Sequence, residues 1–165
     1  MALADFFLKI SDGIDGESQD DKHKNEIEVD SWSWGVTQSG TAGRTGTGQG
    51  AGKASFHDIH FTAKVNKASP KLMLASATGQ HLGEATLSVR KAGGQQEDYL
   101  KIKLSGVLIS SYQEAGSGHG GDVVPVDQFS LNFSKIEITY KQQNEKGSVG
   151  SPVVTGYDLT ANKKL

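Results

Sequence analysis

Apolar residues along this chain recur every second position far more often than every third or fourth, which is the spacing of strands with one buried face. Ala4, Phe6, Leu8 and Ile10 share one face of a first strand, which ends in the turn-forming runs Ser11-Asp12-Gly13 and Asp15-Gly16-Glu17-Ser18. A second strand is predicted over Glu26 to Val36. Its apolar side is first Ile27 and Val29, then Trp32, Trp34 and Val36, and this change of parity predicts a bulge near Asp30-Ser31. Phe56 to Val65 alternates again, with Ile59, Phe61, Ala63 and Val65 on one side and Asp58, His60, Thr62 and Lys64 on the other. Further strands are predicted at Ala85 to Lys91, at Tyr99 to Leu104 continuing through Val107 to Tyr112, at Gln128 to Tyr140 and at Val153 to Leu159, seven or eight in all.

One helix stands out, Pro70 to Thr78, with Ser69 as its N-cap, Pro70 at its first position and Gly79 placed for a left-handed C-terminal cap. Leu72 and Met73, with Ala75 and Ala77, are expected to pack this helix on the sheet. The pattern reads as an all-β, mainly antiparallel fold, a two-sheet barrel or sandwich with one flanking α-helix, in a single domain over 1–165. Between the second and third predicted strands lies a glycine-rich stretch, Ser39 to Lys53, too long for an ordinary connection and therefore expected to be functional or mobile.

Glycine stands at 21 of 165 residues, close to twice the usual share of about 7 %, so the backbone must turn often. No cysteine is present, which excludes disulfides, thiolate metal sites and thiol nucleophiles. A formal net charge of −2 gives no electrostatic reason to expect nucleic acid. No apolar run approaches the ~18 residues of a membrane span, so no membrane insertion is expected, and the Ala2 to Ile10 stretch reads as a strand and not as a signal peptide.

Candidate chemistry fails position by position. A Walker A loop ending at Gly52-Lys53 requires glycine where Thr47 stands and Ser or Thr where Ala54 stands. The Gly46, Gly48, Ala51 match to a dinucleotide fingerprint is followed by a strand pattern and not by a helix. His57 and His60, three apart on a strand, point to opposite faces and do not chelate one ion. Ser117, His119 and Asp122 fall on one glycine-rich segment without the sharp turn that exposes a nucleophile. The nearest carboxylate sets for a glycosidase are Glu17 with Asp20-Asp21 and Glu26 with Glu28, and the latter two share the face opposite Ile27 and Val29, which reads as a solvated strand face and not as an acid–base pair. Trp32 and Trp34 share a face and serve either as a stacking platform for a sugar or base or, the reading preferred in a thin core, as its largest fillers. No catalytic residue, metal or cofactor is expected, and the chain is not read as an enzyme.

Residues alone stop at a small all-β domain, but particular strings go further. Asp15-Gly16-Glu17-Ser18, Asp21, His23, Glu26-Ile27-Glu28-Val29 and Ser31-Trp32-Ser33-Trp34-Gly35 together resemble the N-terminal half of the haemolysin-coregulated proteins, the tube subunits of the bacterial type VI secretion system. The likeness continues through Phe61-Thr62-Ala63-Lys64-Val65, Lys67-Ala68-Ser69-Pro70-Lys71-Leu72 and Gly79-Gln80-His81. It ends with Val126 to Phe133, Lys135-Ile136-Glu137-Ile138, Tyr140, Gly156-Tyr157-Asp158-Leu159 and Asn162-Lys163-Lys164.

The resemblance implies a homo-hexameric ring that stacks into a hollow tube inside a contractile sheath. It also implies a protein made in the cytoplasm without a signal peptide, then expelled to the medium or a target cell with a spike protein at the tip, its lumen holding effector proteins. On that basis the glycine-rich loop is expected to make ring-on-ring contacts, with Ser39, Gly40, Thr41, Arg44, Gly48, Gly50 and Lys53 as candidates. Ordering such a loop costs about 1 to 2 kcal/mol of backbone entropy per residue, and it has almost no apolar side chains to offset that within one subunit. A carbohydrate- or small-ligand-binding β-module is the alternative reading.

Overall fold

The computed structural model describes residues 4–39, 54–91, 97–119, 124–143 and 149–165. Twelve strands and one helix occur among them: β1 (Ala4–Ile10), β2 (Ile27–Val29), β3 (Ser31–Ser33), β4 (Val36–Gln38), β5 (Ala54–Phe56), β6 (Ile59–Lys64), α1 (Ser69–Thr78), β7 (His81–Lys91), β8 (Asp98–Ala115), β9 (Val126–Asn132), β10 (Lys135–Gln143), β11 (Val149–Asp158) and β12 (Lys163–Lys164). Every pairing among them is antiparallel.

One layer runs β2-β1-β7-β8-β10-β11-β12, and the other runs β3-β6-β9-β8, so β8 belongs to both. Its first part, Leu100 to Ser105, pairs with β10, and its second part, Leu108 to Ala115, pairs with β9. The change of partner occurs at Gly106, which has φ +61° and sits where an added Cβ would lie 2.2 Å from Ser134 Oγ. Only glycine fits both conditions. β9 and β10 break opposite it, at Phe133-Ser134, where sequence patterning runs one strand from Gln128 to Tyr140.

The second corner is at Asp30. β2 pairs with β1 and β3 pairs with β6, while the Asp30 amide donates to the Thr62 carbonyl at 2.7 Å. The parity switch expected as a bulge is therefore a change of layer: Ile27 and Val29 face the core from one sheet and Trp32 faces it from the other. Val36, expected on the same apolar side, is 49 % exposed, because β4 leaves both layers to form a separate two-stranded ribbon with β5. The result is an all-β sandwich and not a closed barrel.

The core is one cluster built from both layers. Ile27, Leu8, Leu87 and Ile102 form a buried row across the first, and Ile59, Leu131 and Ile109 one across the second. Phe61 and Phe129 stack at 5.3 Å between ring centres.

Helix α1 packs on β8. Leu72 and Ala75 are buried, as is Ala68 just before it. Met73, expected to pack beside Leu72, is 50 % exposed. One residue turns a helix by about 100°, so the side that buries Leu72 and Ala75 carries Met73 round to solvent. Ser69 is not an N-cap in the structure but the first helical residue, its hydroxyl accepting the Asn66 amide at 3.0 Å. Gly79 takes the left-handed conformation at the other end, φ 65°.

The free edge of β11 is shielded. Leu165 N–H donates to Gly156 O at 3.0 Å, and β12 covers Tyr157 and Asp158. Pro152 has the same outward parity as Gly156 and offers no N–H.

Candidate functional site

Strand register places two rows of four side chains on the outer face of the β3-β6-β9-β8 layer. Ser31, Thr62, Gln128 and Gln113 form one, and Ser33, His60, Ser130 and Ser111 the other. None is a carboxylate, lysine or arginine. Their partners in the strands, such as Phe61 and Phe129, point the other way into the core, so pleating alone sorts polar from apolar here. At the centre, Ser130 Oγ lies 2.7 Å from Ser110 Oγ and 2.5 Å from Ser111 Oγ. Asp58 closes this hydroxyl cluster at its rim, accepting from Ser110 Oγ at 2.7 Å and Asn132 Nδ2 at 2.9 Å.

The outer face of the other layer is chemically different. Lys9, Thr86, Lys103 and Glu137 form one row, and Glu84, Ser105, Lys135 and Asp158 the next. Lys103 pairs with Glu84 at 3.4 Å and Lys135 with Asp158 at 3.9 Å. Near β1 this face is covered by the irregular segment 11–26, which hides Phe7 and Ser88. His23 stacks on Phe7 with ring centres 4.4 Å apart, its Nδ1 2.9 Å from Glu26 Oε2 and its Nε2 2.9 Å from Asp98 Oδ1. The Arg90 guanidinium lies over the same Phe7 ring at 4.8 Å and holds Asp20 through both terminal nitrogens, with Asp5 at 3.4 Å. The Asp20 carboxyl is held below the usual carboxylate range, chiefly by the hydrogen bonds from Arg90, and Arg90 is raised above its ordinary value by the same contact.

A third polar centre ties α1 to the neutral layer. Asp127, fully buried, accepts from Ser69 Oγ and from Tyr112 Oη at 2.7 Å. Burial first, then Asp127, pushes the Tyr112 phenol above its ordinary value, so the phenol keeps its proton and donates it to Asp127.

Residues singled out in the sequence scatter. Ser39 is exposed beyond β4; Gly40, Thr41, Arg44, Gly48, Gly50 and Lys53 lie outside the described residues, as do Thr47 and Asp122. His57 precedes β6, its amide bonded to Gly35 O at 2.8 Å, while His60 stands on the neutral face. Ser117 Oγ bonds to the His119 carbonyl, not its ring. Trp32 meets Phe6 edge-on at 6.1 Å, and both Trp32 and Trp34 pack against the core. Among the described residues no group of three or more His, Asp and Glu side chains is placed to hold a metal ion.

The family model described as "Type VI secretion system effector, Hcp" matches residues 7–140. That span runs from β1 into β10 and takes in both corners and the helix, stopping before β11 and β12. The chain belongs to the Hcp family. The protein Hcp1 of Pseudomonas aeruginosa is 42 % identical over 160 residues, 96 % of each chain. Among solved structures, Hcp1 from Salmonella typhimurium superimposes with a TM-score of 0.83 at 38 % identity, covering 99 % of this chain and 100 % of that one. A structure titled as a type six secretion system protein reaches a TM-score of 0.90 at 31 % identity, covering 98 % and 99 %. The eight positions of the neutral face lie within the matched span, and no single motif announces them, since they come from four strands spread between positions 31 and 130.

Proposed function

We propose that this Hcp chain, acting as one unit over 1–165, is the structural subunit of a type VI secretion tube. Six copies close into a ring, and rings stack into a hollow tube within a contractile sheath. The tube leaves the cell behind a spike protein, and effector proteins ride in its lumen. The observation that carries this reading is the match to Hcp proteins over nearly the whole chain, both corners included. The neutral face supports assigning the lumen to the β3-β6-β9-β8 layer. A conduit that must hold and release proteins of differing charge is best lined by uncharged hydrogen-bonding groups, since a strong field of one sign would retain some cargo and repel the rest. The loop 39–53, entered through exposed Ser39 at the end of the β4–β5 ribbon, serves ring-on-ring contact in this reading.

Electron microscopy and native mass spectrometry of the purified protein test it: closed rings of six are expected, and monomers alone at micromolar concentration defeat it. Replacing 41–52 with a short Gly-Ser turn is expected to leave rings intact and abolish stacking. Thr62→Glu with Gln113→Glu is expected to leave rings and melting temperature unchanged while shifting which effectors co-purify.

A further inference from the structure

Helix α1 is apolar on two sides. Its inner side, Leu72 and Ala75, is buried on β8. On its outer side Pro70, Met73, Leu74 and Ala77 stand at i, i+3, i+4 and i+7, all exposed, Met73 by 50 % and Leu74 by 57 %. Single exposed apolar residues are ordinary, but a complete stripe at this spacing is the pattern of a helix face that packs against something.

A second surface of the same kind lies on the sheet. The core-facing row from Val29 through Val89 continues across β8, β10 and β11 as Leu100, Tyr140 and Val153. Exposure climbs along it, from 2 % at Val89 to 46 % at Tyr140 and 68 % at Val153. Two rows further along β11, Leu104 and Ile136 lead to Tyr157, which Phe56 of the β4–β5 ribbon covers by stacking at 5.2 Å. The core face therefore extends past its own second layer.

We infer that the outer stripe of α1 in one copy packs on the Leu100–Tyr140–Val153 face of the next copy. This rests on the ring reading above and names the lateral contact. A closed ring of identical subunits joins two different patches on each molecule. Among the described residues two exposed apolar patches sit on separate elements, one a helix stripe and the other a sheet face, and helix on sheet is how α1 already buries its inner side.

The absence of cysteine makes the test clean. Met73→Cys and Val153→Cys are made as separate proteins with tags of different mass, mixed and oxidised. A covalent heterodimer that forms in the mixture, with each variant alone remaining monomeric on a denaturing gel, is the expected result. Failure to cross-link in the mixture overturns the assignment, and so does a homodimer of either variant alone, which would mean that a patch meets its own copy. Leu74→Lys, an exposed change, is expected to lose rings while the subunit still unfolds in one cooperative transition; rings that persist overturn the assignment. Wild-type native mass separates the two levels: wild-type rings without cross-links defeat only this contact, whereas wild-type monomers defeat the tube reading itself.

Discussion

The two outer faces of the sandwich are built from the same kind of antiparallel ladder and yet differ in kind. On the β3-β6-β9-β8 face two rows of side chains carry hydroxyls, amides and one imidazole. On the β1-β7-β8-β10 face lysines and acids alternate. Pleating dictates only that every second residue looks outward; it does not say whether that residue is serine or lysine. Solubility is satisfied by either choice, so it does not account for the difference; in the tube reading proposed above, contact with changing protein cargo would.

The contrast can be broken most severely by placing the same acid on both faces. Ser130→Glu puts a carboxylate at a 2 % exposed position near Asp58 and is expected to cost about 2 to 4 kcal/mol. Thr86→Glu, between Lys9 and Lys103, is expected to stay within about 0.5 kcal/mol of wild type. Denaturant unfolding measures both, and equal losses would show that the faces do not differ in tolerance.

Next in size is Gly106→Ala, at the corner where β8 passes between layers. Positive φ and the approach to Ser134 together are expected to cost about 1 to 3 kcal/mol, read as a lowered denaturant midpoint.

Smaller again is Asp20→Asn, on the covered part of the charged face. Asp20 has its folded value below the ordinary one, so its stabilisation is present above the normal carboxylate range and is lost as pH falls through that range and below. The variant is expected to be about 1 to 2 kcal/mol less stable than wild type at neutral pH, and the two should converge on acidification. A gap that widens in acid would show that Arg90 is held by other groups.

The smallest effect is expected from Lys103→Ala, which removes a pair with both side chains about half exposed, 48 % and 57 %. Thermal unfolding should register a change of less than about 0.5 kcal/mol.

Much of this fold was legible in the order of residues because β1, β6 and α1 are decided locally. Ile59, Phe61 and Ala63 face inward as their alternation says, and Gly79 ends α1 in the left-handed conformation its position calls for. What stayed hidden depends on partners far along the chain. Asp30 looks like a bulge until β6 is known to receive Ser31–Ser33 while β1 holds Ile27–Val29. His23 meets Asp98 across 75 positions and Arg90 meets Asp20 across 70, separations that no spacing rule covers. Met73 was misjudged because Leu72, Met73, Ala75 and Ala77 are all apolar, and composition cannot say which side of such a helix faces in. The neutral face escaped notice because each strand contributes only two of its residues.

One proline bears on what kind of polymer this molecule is permitted to make. A subunit that joins its own kind is in danger of joining it in too many ways, and an open strand edge is the most indiscriminate, since it accepts backbone of any sequence. Pro152 withdraws an amide from the outward edge of β11, and four residues further on Leu165 occupies the Gly156 carbonyl. Growth by strand addition is thereby hindered at this edge, where a second copy meets side chains, whose shapes limit both angle and number.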